Sequence, residues 1–196
     1  MKNFKFLLLL FLTVSSYGQT KGYNKMRGSQ LILKNGDTLN VKGKLKSKGF
    51  KYKRHNTSKP LVVNYSEIES IKIRFNKDNI AVFKPFIVKG KNKLIPVQEL
   101  VVGDKASLYG VTNSLMRSGA GGIRFQQTST VYYFKRAHHK ELIKLGSYQP
   151  IFGDLKDKIK IVFKDCDLLL EKIKKKEFRM RNGLEPMFVF YNTKCQ

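Results

Sequence analysis

Apolar and polar residues alternate with a period of two through the first two-thirds of the chain, which is the pattern of half-buried β-strands. In the clearest case Leu39, Val41 and Leu45 share one face of a strand, and lysines occupy the other face. The pair Asn35-Gly36 precedes this run. Asn-Gly is the strongest short signal for a β-hairpin because both residues tolerate positive φ. The sequence therefore predicts an antiparallel sheet.

Runs of the same kind continue to residue 136 and predict six to nine strands. One run, residues 80–88, contains Pro85, which favours a sheet edge or a bend because proline cannot donate to a strand ladder. Residues 112–127 carry three glycines and have no apolar period, so we predict a long loop there. Strand character returns at Thr130–Phe134.

The apolar spacing becomes helical after residue 153. A first helix is predicted from apolar residues at i, i+4, i+7 and i+8, which are Leu155, Ile159, Val162 and Phe163. Two shorter helices are predicted from the later apolar positions, Leu169, Leu170 and Ile173 in one and Leu184, Met187, Phe188 and Tyr191 in the other. Asp165, Asp167 and Glu171 lie near the start of the second helix, where helix capping explains them.

Strands that come first and helices that come last favour the α+β class over alternating βαβ units. We predict a single α+β domain over residues 19–196, β-rich over 30–136 and helical over 153–195, in which a small C-terminal helical cap accompanies an antiparallel sheet or partial barrel. A second arrangement stays open, with a β domain to about residue 136 and a separate helical domain from about 150.

Residues 1–18 have the form of a secretory signal peptide. Lys2 and Lys5 precede a nine-residue apolar run, Phe6–Val14, and the small residues around Gly18 suit cleavage. The run is shorter than the roughly 20 residues that a membrane-spanning helix needs. No later stretch is long enough either, so we predict no transmembrane helix in the mature chain. The protein is therefore expected to be exported and periplasmic, outer-membrane-associated or extracellular.

The two cysteines become informative if the chain is exported, because Cys166 and Cys195 then lie in an oxidising compartment. Two cysteines allow a single intrachain pairing, and closing a loop of this length stabilises the fold by roughly 3–4 kcal/mol in the chain-entropy model. The alternative is two separate thiols. The bridge is favoured because leftover free thiols are unusual in exported proteins.

No arrangement of residues typical of catalysis or metal binding occurs in the sequence. His138 and His139 are adjacent, so in a strand they point to opposite faces, and His55 lies alone in a polar turn. The glycines at 119–122 lack the surroundings of a phosphate loop. We therefore predict no catalytic, metal or cofactor residues and no cofactor. An enzyme with a site near residues 112–127 stays open, since loops this long are often functional.

The excess of basic residues is the remaining chemical signal in the sequence. The chain has 39 Lys and Arg and 14 Asp and Glu, which gives a net charge of +25. Seven of them are predicted to share one outward surface of the sheet, namely Lys42, Lys44, Lys46, Lys51, Lys53, Lys72 and Arg74. Such a surface attracts anionic polysaccharide, nucleic acid or the acidic cell envelope. Only eight of the basic residues are arginine, the residue preferred for reading bases, so specific nucleic-acid binding is disfavoured. The competing interpretation is a solvated lysine-rich surface without a ligand.

Several segments resemble a group of exported proteins of Bacteroidetes-type bacteria that have no assigned function. The resemblance is carried by LKNGDTLNVKGKLK, VQELVVGDKASLY, TVYYFKR, FKDCDLLLEKI and FYNTKC, which begin at Leu33, Val97, Thr130, Phe163 and Phe190. It implies a periplasmic or surface location and no particular activity. In that group a cysteine near the second helix recurs with one at the end of the chain, which adds to the disulfide prediction.

Together these observations predict an exported protein that is not an enzyme, a binding or structural protein at the cell envelope with a lysine-rich surface. Its expected partner is an anionic envelope polysaccharide or another envelope protein.

Overall fold

The computed structural model describes residues 25–56, 58–118, 124–148 and 154–195. In these residues ten strands form one open sheet, and three helices follow it in the chain. The strands are β1 (Arg27–Leu33), β2 (Thr38–Leu45), β3 (Gly49–Lys53), β4 (Leu61–Asn64), β5 (Ile68–Arg74), β6 (Ile80–Ile87), β7 (Leu94–Val101), β8 (Ala106–Ser118), β9 (Arg124–Arg136) and β10 (Ile143–Gly146). The helices are α1 (Asp154–Val162), α2 (Asp167–Lys174) and α3 (Glu185–Lys194).

The strand order is β10-β9-β8-β7-β6-β5-β1-β2-β3-β4, and every ladder between neighbouring strands is antiparallel. The α+β prediction is therefore confirmed, as a sheet that is not closed into a barrel. The strand count exceeds the prediction because β10 was missed. Its place in the sheet depends on pairing with β9, which the pattern of its own four residues does not reveal.

The hairpin predicted at Asn35-Gly36 connects β1 to β2. Only Gly36 adopts positive φ, at +91°, and its N–H donates to the carbonyl of Leu33 at 3.0 Å. The side-chain oxygen of Asn35 instead accepts from the backbone N–H of Asp37 at 3.1 Å. The hairpin prediction is thus confirmed, with a longer turn in which glycine alone takes the left-handed conformation.

The long loop predicted at residues 112–127 is wrong for 112–118 and 124–127, which lie in β8 and β9; residues 119–123 lie outside the described residues. These strands pair without interruption from Ala106 opposite Arg136 to Ser118 opposite Arg124. The ladder needs backbone groups rather than apolar side chains, and threonine suits a strand. Across the ladder the hydroxyls of Thr112 and Thr130 lie 3.1 Å apart.

Pro85 does not lie on an edge strand, because β6 is flanked by β5 and β7. However, β5 pairs with β6 only as far as Phe83. Around Pro85, β6 pairs with β7, and Pro85 lies opposite Pro96 of that strand. The missing N–H therefore removes no hydrogen bond between β5 and β6, which explains how a proline is accommodated inside the sheet.

The sheet buries apolar residues in three clusters. The N-terminal core consists of side chains from β1 to β6, namely Leu31, Val41, Phe50, Tyr52, Tyr65, Ile68, Ile71, Ile73, Ala81 and Phe83. The cap core joins β8, β9 and β10 to the helices. A third, smaller cluster comprises Val88, Val97, Tyr109, Tyr133 and Leu142, where the chain after β9 returns to the end of β6.

The helical cap has the buried faces that its spacing predicted. Each of the predicted apolar positions in α1 and α3, together with Phe163, is buried, and Leu169 of α2 is fully buried. Cys166, just before α2, and Cys195, just after α3, form a disulfide with an S–S distance of 2.02 Å. The disulfide prediction is confirmed, and the bond joins the start of one helix to the end of another. In the part of the chain that the structure describes, no helix is long and apolar enough to cross a membrane.

Asp165 does not cap α2, since the residue before that helix is Cys166 and its side chain makes no capping bond. The Asp165 carboxylate instead accepts hydrogen bonds from Tyr191 of α3 at 2.7 Å and from Arg136 of β9 at 3.0 Å. The same guanidinium donates to the carbonyl of Val162 at the end of α1. One arginine therefore links the sheet to the end of α1, to the connection between α1 and α2, and to Tyr191 of α3.

Candidate functional site

The lysines of β2 and β3 project to the outward face of the sheet because their neighbours fill its inward face. Gly43 lies opposite Tyr52, and Leu45 lies opposite Phe50, all on the side of the N-terminal core. The alternate positions therefore point outward. Two pairs of lysines face each other directly across these strands: Lys42 with Lys53, and Lys44 with Lys51.

Strands β1 and β5 extend the same outward face. Gly28 of β1 lies opposite Lys42, and Gln30 lies opposite both Asn40 of β2 and Lys72 of β5. Arg74, two residues after Lys72, has the same orientation. A Cβ atom placed on Gly28 would have no atom within 4 Å, so this glycine leaves an open space among the basic side chains.

These side chains surround an open cleft of about 590 Å³. We call it the cationic cleft and define it by its five basic residues, Lys42, Lys53, Arg54, Lys72 and Arg74. Gly28, Gln30, Asn40, His55 and Asn56 are among the other residues that line it, together with Ser29, Val41 and Ile80. No carboxylate is among these lining residues.

Asn56 lies between two of the ammonium groups. Lys42 Nζ donates to the side-chain oxygen of Asn56 at 3.0 Å, and Lys53 Nζ donates to its backbone carbonyl at 3.3 Å. Both acceptors are neutral, so they orient the lysines without cancelling their charge. The turn is itself held by Ser58, whose hydroxyl donates to the carbonyl of His55 at 2.8 Å.

The charges in the cationic cleft are not compensated within the described ranges. None of the five basic residues forms an ion pair with an aspartate or glutamate there. Like charges directly opposite each other in a sheet are destabilising, so we expect the Lys42–Lys53 pair to weaken the fold. An anion that bound between them would remove this repulsion.

The structure brings together four of the seven basic residues predicted to share a surface: Lys42, Lys53, Lys72 and Arg74. Lys44 and Lys51 lie on the same face, two residues away from Lys42 in β2 and from Lys53 in β3, and do not line the cleft. Lys46 follows the end of β2, is exposed, and also lies outside the cleft.

Sequence reasoning missed the contribution of Arg54, His55 and Asn56. These residues directly follow the alternating basic run of β3, which was the available signal. Their position depends on the direction in which the turn after β3 leads the chain, and a strand pattern does not specify that direction. Among the described residues, no group of three or more His, Cys, Asp or Glu side chains could hold a metal ion.

Comparisons with protein-family models, with curated proteins and with solved structures found no match for this chain. A function for the cationic cleft therefore has to be argued from its own residues and their chemistry.

Proposed function

We propose that the protein is an exported, non-catalytic protein of the cell envelope that binds an anionic polysaccharide in the cationic cleft. The observation that carries this proposal is the directly opposed pair Lys42 and Lys53, which lacks a carboxylate partner in the described chain. A repulsive pair weakens the free fold, and a bound carboxylate or sulfate relieves that repulsion through charge-assisted hydrogen bonds.

The neutral lining of the cleft supports a carbohydrate ligand over a nucleic acid. Gln30, Asn40 and Asn56 supply amide donors and acceptors of the kind that hydrogen-bond sugar hydroxyls. Among the described residues that line the cleft there is no Phe, Tyr or Trp, whereas proteins that bind single-stranded nucleic acids stack bases on such rings. Both facts favour a flexible, hydroxyl-rich polyanion.

The export part of the proposal depends on the signal-peptide pattern in residues 1–18, which lie outside the described residues. The Cys166–Cys195 disulfide is compatible with it, since such bonds persist in oxidising compartments. The enzyme alternative was argued from a long loop at residues 112–127, and residues 112–118 and 124–127 belong to strands.

Isothermal titration of the purified protein with polygalacturonate tests the proposal, with neutral dextran as the uncharged comparison. We expect binding to the polyanion alone, and the affinity should fall as salt is raised from about 10 mM to 150 mM, because shorter Debye lengths screen exposed charges. A double variant, Lys42→Ala with Lys72→Ala, should bind at least about tenfold more weakly, as expected for two lost charge contacts.

The matched control is Lys44→Ala with Lys51→Ala, which removes the same charge from the same face outside the cleft. It should change the affinity by less than about threefold, since only long-range attraction is lost. Equal losses in both double variants would support the solvated lysine-rich surface instead. Absence of polygalacturonate binding at low salt, or tighter binding to a single-stranded oligonucleotide, would also overturn the proposal.

A further inference from the structure

A second cleft lies in the helical cap, away from the cationic cleft. It has a volume of about 930 Å³ and lies between α1, α2 and the segment that follows α2. Its apolar floor is formed by half-buried side chains, namely Leu170, Ile173, Phe178 and Met180. Its exposed rim carries six basic residues, namely Lys156, Lys160, Lys174, Lys176, Arg179 and Arg181. We call it the amphipathic cleft.

The lysine run at the end of α2 separates into two groups. Lys172 pairs with Glu177, and Lys175 pairs with Glu171 at 2.7 Å. Lys174 and Lys176 form no ion pair within the described residues, and both line the amphipathic cleft. The unneutralised half of the run therefore faces the cleft.

Lys176 occupies a backbone position that normally belongs to glycine. Its φ is +63°, and no other non-glycine residue in the described chain has positive φ. Its N–H donates to the carbonyl of Ile173, and the N–H of Glu177 donates to that of Lys172, the pattern of a Schellman motif. A lysine there destabilises the helix end relative to glycine, and such strain is typical of positions where the side chain has a function.

We propose that the amphipathic cleft binds a monomeric single-chain amphiphile with an anionic head group. The apolar floor would bury the alkyl chain, and binding pockets of this size suit small ligands. The rim ammonium and guanidinium groups would bind the head group through charge-assisted hydrogen bonds. A polysaccharide does not suit this site, because its hydroxyls would be buried against Leu170, Ile173 and Phe178 without partners.

Methionine methyl groups labelled with ¹³C offer a direct readout by NMR with the intact protein. Dodecyl phosphate below its micelle concentration should shift the Met180 methyl signal and leave that of Met26, which does not line the cleft, in place. Lys174→Ala and Lys176→Gly should each weaken binding about fivefold, as for loss of one exposed charge contact.

Lys176→Gly should also raise the melting temperature, because glycine suits positive φ. Weaker binding by this variant would therefore not result from unfolding. Lys175→Ala, which removes a lysine outside the cleft, is the matched control and should leave the affinity unchanged. Equal binding of inorganic phosphate or of dodecyltrimethylammonium would overturn the proposal. So would binding confined to phospholipid vesicles, which would indicate a membrane surface as the ligand.

Discussion

The two halves of the sheet differ in how they are stabilised. Strands β8 to β10 are covered by helices, of which a disulfide joins α2 to α3 and the Arg136–Asp165–Tyr191 cluster joins the cap to β9. Strands β1 to β6 enclose the N-terminal core, whose buried residues include none from α1, α2 or α3, and the outward face of β2 and β3 places like charges opposite each other. The disulfide and the Arg136–Asp165 ion pair thus lie in one half, and the opposed lysine pairs lie in the other.

The largest expected effect is loss of the disulfide. Replacing both Cys166 and Cys195 by serine should lower the free energy of unfolding by about 3–4 kcal/mol, because it releases a loop closed over a sequence separation of 29 residues. Urea unfolding in the absence of reductant measures the loss. Dithiothreitol should destabilise the wild-type protein by the same amount as the double substitution and should not change the stability of the double variant. A wild-type protein whose stability does not change with reductant would contradict stabilisation of the cap by the disulfide.

Asn192 should have the next largest effect. Its side-chain oxygen accepts from the backbone N–H groups of Lys105 and Ala106, and its amide donates to the carbonyls of Ala106 and Phe188. Asn192→Ala removes the partner of the Lys105 and Ala106 backbone groups in a partly buried site and should cost roughly 2–3 kcal/mol of unfolding free energy. The neighbouring Thr193→Ala, which loses only bonds within α3, is the control and should cost well under half of that.

In the half of the sheet that contains β2 and β3, charge-reversing substitutions should raise the free energy of unfolding. Lys53→Glu places a carboxylate opposite Lys42 and should raise the unfolding free energy by roughly 0.5–1 kcal/mol, because a repulsive pair becomes an attractive one. Lys51→Glu makes the same change opposite Lys44 outside the cleft. Both variants should be stabilised in thermal unfolding, whereas polygalacturonate binding should fall much further in Lys53→Glu. Destabilisation of both would show that the lysine pairs are not repulsive.

The smallest effect concerns Asp165. Burial raises the pKa of its carboxyl, but hydrogen bonds from Tyr191 and Arg136 outweigh this, so the pKa lies below its ordinary value of 3.8. Because the folded-state pKa is the lower one, the stabilisation is complete above about pH 5 and is lost as the pH falls through the folded-state value. The side chain is 45% exposed, so the effect should be small. Asp165→Asn should reduce the change in unfolding free energy between about pH 5 and pH 2. A variant whose unfolding free energy depends on pH as the wild-type's does would contradict this role.

The sequence predicted those parts of the fold that local spacing determines. Alternation gave the two faces of β2, and the i, i+4 spacing gave the buried side of α1. It failed where the outcome depends on distant partners. Residues 112–118 are in a strand because β9 pairs with them, and Asp165 bonds to Arg136, 29 positions earlier in the chain. The basic residues of the cationic cleft were predicted only in part for the same reason. The alternation of strand residues predicted the positions of Lys42 and Lys72, whereas the position of Arg54 depends on a turn.

Filling the cationic cleft without changing its charge is the most direct test of the proposed function. Gly28→Leu adds a side chain where a Cβ atom meets nothing within 4 Å, and it replaces a residue that is unfavourable inside a strand. Every lysine and arginine remains, so the net charge is unchanged. We predict that the variant folds with undiminished stability and that its affinity for polygalacturonate, measured by calorimetry, falls at least about tenfold, since the bound polyanion loses its place between the lysines. An affinity equal to that of the wild-type protein would show that diffuse surface charge, and not the cleft, attracts the polymer.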